Sequence, residues 1–230
     1  MTEQANTAAL VLLSGGQDST VCLFWALKKF KRVEAVCFLY GQRHATEIEA
    51  AKVIAKKAGV IIRIVDLSLI ANLSKNSLTD ATIAIDKKRE RKKPPNTFVP
   101  GRNLFFLSVA AIIAREKDIA NIVIGVSQAD YSGYPDCRNR FIRSLNATLN
   151  LAMEEQFVVH TPLMQLKKAA VWQLADELGV FELVETKTVT CYNGIPGAGC
   201  KECPSCELRN KGLTKFKNSK IQKKFIIHNS

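Results

Sequence analysis

The chain has 230 residues, enough for one α/β domain with a small appendage and too few for two full-sized domains. Its 47% hydrophobic and 23% charged residues are ordinary for a globular protein, so disorder is not the default, and the amino-terminal apolar run over 8–13 is too short for a signal sequence or a membrane span. A formal charge of +12 favours anionic partners such as nucleotides, carboxylates or nucleic acid, and seven cysteines in a chain expected in the reducing cytoplasm point to thiols or metal rather than disulfides.

In chain order, residues 8–13 predict a buried strand, a Gly-rich turn follows, and 18–30 predict a helix. A second strand over 34–40 leads through Gly41 into an amphipathic helix near 44–58, and 60–67 read as a third strand. This βαβαβ alternation implies a parallel sheet with helices on both faces. Residues 74–95 break the pattern and predict an exposed polar excursion. The alternation resumes with a helix over 104–116, a strand over 121–127, and helices near 138–155 and 167–178. From Thr186 onward Gly, Pro and Cys rise and the periodicity stops. Three units are therefore expected: an α/β domain over 8–185, a four-cysteine lobe over 186–212 and a basic tail over 213–230. Much of the surplus charge lies in Lys87, Lys88, Arg89, Arg91, Lys92 and Lys93 and in the tail lysines 211, 215, 217, 220, 223 and 224. Without interleaved aromatic platforms these runs read as a solvated surface, with an RNA contact as the alternative.

Ser14-Gly15-Gly16-Gln17-Asp18-Ser19-Thr20 lies where the first strand hands over to a helix, which gathers glycine N–H groups and hydroxyls at the positive end of that helix. Ser14 and Ser19 can donate to phosphate oxygens, and Asp18 can hold magnesium against a nucleotide. The Gly-Lys-Ser/Thr ending of Walker-type loops is missing. The plainer reading is a polar turn with an aspartate capping a helix. The whole string in this position goes further and resembles the pyrophosphate loop of the N-type ATP pyrophosphatases. That resemblance implies a Rossmann-like, adenine nucleotide alpha hydrolase-like sheet and cleavage of ATP between its α- and β-phosphates, by way of an adenylated substrate.

Cys191, Cys200, Cys203 and Cys206 follow the spacing C-x8-C-x2-C-x2-C among turn-forming glycines and prolines, a pattern that suits tetrahedral zinc. Four free thiols or an iron–sulfur cluster are the other readings. With every position filled by thiolate, zinc here would be structural and would pin the loop around 192–199 against the nucleotide domain. Cys22 and Cys37 fall in apolar elements and read as core thiols.

Five further segments narrow the resemblance: Gly41-Gln42-Arg43-His44 with Glu47, Phe98-Val99-Pro100-Gly101-Arg102-Asn103, Asp130-Tyr131-Ser132-Gly133-Tyr134-Pro135-Asp136-Cys137-Arg138, Thr161-Pro162-Leu163 with Lys168, and Cys191-Tyr192-Asn193-Gly194 leading on to Leu208-Arg209. Together they resemble the 7-cyano-7-deazaguanine synthase family, from about Leu10 to Arg209. The resemblance implies an ATP-dependent carbon–nitrogen ligase of queuosine precursor synthesis. Its implied partners are ATP, 7-carboxy-7-deazaguanine and free ammonia, its cofactors zinc and magnesium, and its state a cytoplasmic homodimer with no need of membrane or nucleic acid. It also implies an ATP segment of Leu13, Ser14, Gly15, Gly16, Gln17, Asp18, Ser19, Thr20, Val21, Cys22 and Leu23. Asp18, Arg102 and Lys168 become the expected catalytic groups, and Asp130, Tyr131, Tyr134, Asp136 and Arg138 the expected substrate contacts. Duller readings stand beside these: Lys168 as an exposed helical lysine, Arg102 and His44 as helix caps, Tyr131 and Tyr134 as loop packing. The chain departs from the family at Lys201, where a glycine is usual, at Ala170, where an acidic residue often stands, and in the basic 87–93 run. A tRNA-modifying pyrophosphatase and a non-catalytic zinc-ribbon protein are the rival functions.

Overall fold

Strand β1 (Ala8–Leu12) is buried at every position, and its alternation divides the protein into two cores. Ala9 and Val11 pack into the core shared with α1 (Gln17–Lys29), α2 (Thr46–Ala58) and α5 (Lys168–Glu177). Ala8, Leu10 and Leu12 pack into the one shared with α3 (Arg102–Glu116) and α4 (Asn139–Met153). A strand covered on both faces belongs at the centre of a parallel sheet. In this computed structural model, which describes residues 7–43, 45–80, 82–86, 94–129 and 134–228, with side chains as far as 222, β1 is the middle of five strands.

The others are β2 (Arg32–Leu39), β3 (Ile61–Asp66), β4 (Asn121–Val123) and β5 (Val158–His160), in the order β3-β2-β1-β4-β5 with every pairing parallel. Leu10 stands opposite both Glu34 of β2 and Ile122 of β4. The order of connection reverses between β1 and β4, so a crevice opens beyond the carboxyl ends of these two strands, where doubly wound sheets take ligands. The expected parallel α/β architecture with helices on both faces is what the chain forms.

Three details differ from the sequence reading. The strand expected over 121–127 keeps its ladder only to Val123, after which the Ile124 N–H still donates to the His160 carbonyl at 3.0 Å before the chain turns out over the crevice. The excursion over 74–95 is not exposed throughout. Asn76, Ser77 and Leu78 are buried, the Asn76 side chain accepts from the N–H groups of Leu78 and Thr79, and Leu78 joins Tyr40, Ile70 and Val99 in a small core. The basic run 87–93 lies outside the described residues.

The third detail concerns the carboxyl-terminal region. A short helix, α6 (Phe181–Lys187), precedes the cysteines, and a single helix, α7 (Pro204–His228), runs through the position where lobe and tail were expected to meet. Its first half lies along α5. The Trp172 indole N–H donates to the Arg209 carbonyl at 3.2 Å, and Phe216 meets Phe181, which in turn meets Trp172. Among the described residues no helix is long and apolar enough to cross a membrane.

The two helices approach closely because residue 212 has no side chain: a Cβ there would lie 2.7 Å from the Cβ of Lys168 and 2.9 Å from its Cγ. Helix propensity alone would favour alanine at this position by about 1 kcal/mol. Overpacking of a fixed contact costs about 1–3 kcal/mol, so Gly212→Ala is expected to destabilise the protein in a urea or thermal unfolding experiment. A variant more stable than the parent would show that the helices separate freely.

Candidate active site

The turn after β1 is built by its own side chains. The Ser19 hydroxyl accepts the Ser14 N–H at 3.2 Å and lies 3.1 Å from the Ser14 hydroxyl, and the Thr20 hydroxyl donates to the Gly16 carbonyl at 2.8 Å. Gly15 has φ +81°, and a Cβ on it would lie 2.2 Å from the Glu47 carbonyl oxygen and 2.8 Å from the Ala51 nitrogen, so the loop rests directly on the backbone of α2. The helix cap is Gly16 without any side-chain hydrogen bond, which removes the reading of Asp18 as a cap. Both Asp18 oxygens instead accept from the Lys168 ammonium, at 2.8 and 2.7 Å. Lys168 is buried and heads α5, where the helix dipole disfavours a cation, so this position is not that of an ordinary surface lysine.

Above the loop lies a cavity of about 500 Å³. Leu13, Ser14, Gly16, Gln17, Asp18 and Ser19 line it, together with Lys168. The ATP segment expected to extend to Leu23 reaches the cavity only this far, because Thr20, Val21, Cys22 and Leu23 turn into the core and are fully buried. Elsewhere in the same cavity the Arg102 guanidinium sits between two phenol rings, 5.7 Å from the centroid of Tyr40 and 5.6 Å from that of Tyr134. It therefore does not cap α3. The Tyr134 hydroxyl bonds Thr97 at 2.7 Å and the Tyr192 hydroxyl at 3.2 Å, and Phe98 stacks on its ring. Tyr134 thus packs a wall of the cavity.

Burial shapes the titration of this wall. Glu47 is pushed up to about 7 by burial, with Arg102 opposing, and Tyr40 is pushed up to about 12 by burial and the Glu47 charge. Cys37 rises to about 12 for the same two reasons. Two of the expected substrate contacts stand elsewhere. The Asp136 carboxylate accepts the Asn103 N–H at 3.1 Å in the first turn of α3, and Arg138 holds the cap position of α4; neither lines the cavity. Asp130, Tyr131 and His44 lie outside the described residues. Sequence reasoning gave no individual role to Tyr40, Thr97, Thr190 or Tyr192, all of which line the cavity, and named Glu47 only as part of a segment.

The four cysteines come together as their spacing suggested. Their sulfurs all lie within 4.8 Å of one another, close to the roughly 3.8 Å edge of a tetrahedron with 2.3 Å metal–sulfur bonds, so the cluster can hold a metal ion. The N–H groups of Asn193 and Cys203 donate to the sulfurs of Cys191 and Cys200, each at 3.3 Å. Although burial opposes it, such N–H groups hold the Cys200 thiol down at about 6. Lys201 takes φ +64° inside this turn, which explains why a glycine suits the position.

The lobe and the phosphate loop are joined through Thr190. Its hydroxyl accepts the Gln17 N–H at 3.2 Å and an Arg209 N–H at 3.1 Å, its carbonyl accepts from the Ser205 hydroxyl, and the neighbouring Val189 N–H donates to Gly15.

A parallel sheet carrying this loop at its switch point defines an ATP-using enzyme of the PP-loop class. The structure of a 4-thiouridine synthetase–RNA complex with bound ATP shares the fold with a TM-score of 0.53 at 19% identity, over 93% of this chain and 51% of that one. Residues 8–217 match the family described as Queuosine biosynthesis protein QueC, and the chain belongs to that family. Proteins named 7-cyano-7-deazaguanine synthase are similar to it along most of their length. The one from Bacteroides fragilis is 62% identical over 211 residues, 92% of this chain and 96% of that protein, and the one from Phocaeicola vulgatus is 61% identical over 215, 94% and 96%. The protein from the more distant Clostridium acetobutylicum is 58% identical over 209 residues, 91% and 94%.

Thr190→Val leaves the Gln17 N–H and an Arg209 N–H without their acceptor, so a stability loss of about 1–3 kcal/mol and weaker ATP binding are expected in unfolding and nucleotide titrations. Glu47 gives a prediction of opposite sign. The folded carboxyl keeps its proton to about 7 whereas the free group releases it near 4.5, so the fold loses stability as pH rises through that window. Glu47→Gln is therefore expected to raise the melting temperature at pH 8, by about 2–4 °C per kcal/mol recovered, with the gain shrinking toward pH 5.

Proposed function

We propose that the chain converts 7-carboxy-7-deazaguanine and ammonia into 7-cyano-7-deazaguanine with two ATP, through an adenylated carboxylate, an amide and an adenylated amide, releasing AMP and pyrophosphate. What carries the reading is that one cavity is lined both by the phosphate loop, with its Asp18–Lys168 pair, and by Arg102, which forms no ion pair among the described residues. An enzyme that adenylates a carboxylate needs both, one to hold an α-phosphate and one to hold the acid that attacks it.

The roles follow from chemistry. The loop N–H groups and the Ser14 and Ser19 hydroxyls receive the phosphates. Lys168, resting on Asp18 until the nucleotide arrives, turns to the charge developing at the α-phosphorus. Arg102, held between Tyr40 and Tyr134, orients the substrate carboxylate. Asp18 is the carboxylate that would hold magnesium, and the ion would neutralise phosphate charge there. Cys191, Cys200, Cys203 and Cys206 would hold zinc, which with four thiolates has no open position and would fasten the lobe that carries Thr190. The family resemblance adds a cytoplasmic homodimer working on free ammonia.

Purified protein would be incubated with ATP, magnesium, ammonium and 7-carboxy-7-deazaguanine, and AMP and heterocycle followed by chromatography with mass detection. Nitrile that appears only with both carboxylate and ammonium present is the expected result. AMP without nitrile would leave the class intact and overturn the substrate, and no AMP at all would overturn the adenylation itself.

A further inference from the structure

On the reaction just proposed, nitrogen enters with three N–H bonds and leaves as a nitrile with none; the assignment below rests on that proposal. In the first half the carboxylate oxygen attacks the α-phosphorus, and pyrophosphate leaves with the electron pair of the broken P–O bond. Ammonia then forms a C–N bond, one proton leaves nitrogen, and the C–O bond to AMP breaks. In the second half the amide oxygen attacks a second α-phosphorus, pyrophosphate leaves again, and loss of two protons completes the triple bond as the second C–O bond to AMP breaks. Each carboxylate oxygen ends on an AMP, three protons are released, and nothing is oxidised or reduced. Water is not consumed. Some group in the cavity must take protons from nitrogen.

We propose that Glu47 is this base, accepting a proton from nitrogen as ammonia attacks the adenylated acid and again as the adenylated amide collapses to the nitrile, and returning each to solvent between steps. Its position makes the case. Glu47 stands in the first turn of α2, and its own carbonyl oxygen touches Gly15, so its side chain begins beside the phosphate loop and lines the cavity with Arg102. Glu47 is half-buried, and among the described residues its carboxylate makes no hydrogen bond or ion pair, so it is open to the cavity rather than tied to a neighbour.

The other cavity groups are committed elsewhere. Both Asp18 oxygens hold Lys168, and Asp86 is exposed at the edge of the 87–93 run. The Tyr40 and Tyr192 phenols and the Cys37 thiol are all driven upward by burial and keep their protons at neutral pH. No histidine lines the cavity among the described residues. The groups facing Glu47 are Cys37 from β2, Tyr40 just beyond it and Arg102 from α3; on its own helix Glu49 and Lys52 pair with each other at the surface. In that setting burial holds Glu47 near 7, where a carboxylate can both accept a proton and give it up within one turnover.

The test uses the full-length, metal-loaded enzyme with Glu47→Gln and Glu47→Asp, and reads two steps separately. Carboxylate-dependent exchange of labelled pyrophosphate into ATP reports the first adenylation, in which no proton leaves nitrogen. Amide and nitrile formation report the steps in which protons do leave. In Glu47→Gln the exchange is expected to stay within about threefold of wild type while amide and nitrile formation fall by roughly 10²–10⁴, with Glu47→Asp recovering part of the loss. The wild-type rate of amide formation should rise through a limb near pH 7 that the glutamine variant lacks. Nitrile formation by Glu47→Gln at close to the wild-type rate would overturn the assignment, as would an equal loss of exchange and nitrile, which would make Glu47 a nucleotide-binding group. If wild-type enzyme forms no nitrile, the proposed function falls first and the base with it, a result distinct from either of these.

Discussion

A buried arginine that forms no ion pair among the described residues holds the active end of this protein together. Arg209 is 1% exposed, yet its guanidinium satisfies itself on the Thr188 and Thr190 hydroxyls and on the Val184 and Glu185 carbonyls at the end of α6, over the face of Trp172. Burial pulls it down only to about 10, so it remains charged at neutral pH. Those carbonyls are the negative end of a short helix, and together with the nearby Asp18 charge they help keep the cation indoors. Through Thr190 the same contacts reach the Gln17 N–H in the first turn of α1. The cysteine cluster, the last helix and the phosphate loop are therefore one mechanical unit, although they lie at opposite ends of the chain.

The cavity beside this unit carries two cationic side chains, Lys168 and Arg102. Lys168 and Asp18 satisfy each other across 150 positions of sequence, so the ammonium has a counter-ion in a partly buried place. Arg102 is screened by aromatic faces, which stabilise its charge without neutralising it. The two cations are thus held in different ways, Lys168 by a carboxylate and Arg102 by aromatic faces.

Much of this was legible before any coordinates. The strand–loop–helix start and the four cysteines are each carried by residues within about two dozen positions of one another, and the parallel alternation is a succession of such local patterns. The elements that sequence missed are those whose identity depends on distant partners. β5 is three residues long and exists because Asn121–Val123 pairs with it. α7 carries so many lysines that its periodicity disappears, and only packing on α5 shows that its first half is structural. Within the site, Asp136 looked like a ligand-reading carboxylate because it sits in a polar loop, and its commitment to the Asn103 N–H is a contact across 33 positions. Glu47 was named only as part of the segment that follows β2, without a role of its own. Nothing local reveals that it lines the cavity together with Cys37 of β2 and Arg102 of α3.

The crossing of α5 and α7 at Gly212 bears on when the site comes into being. During synthesis the phosphate loop is made well before Thr190, Arg209 and Gly212, which brace it and seat Lys168. At about 5–20 residues per second, that interval is roughly 10–40 seconds. Throughout it the sheet can assemble around β1, but Lys168 has no helix behind it and Gln17 no threonine to donate to. The braced form of the loop is consequently out of reach until the chain has been made past Gly212.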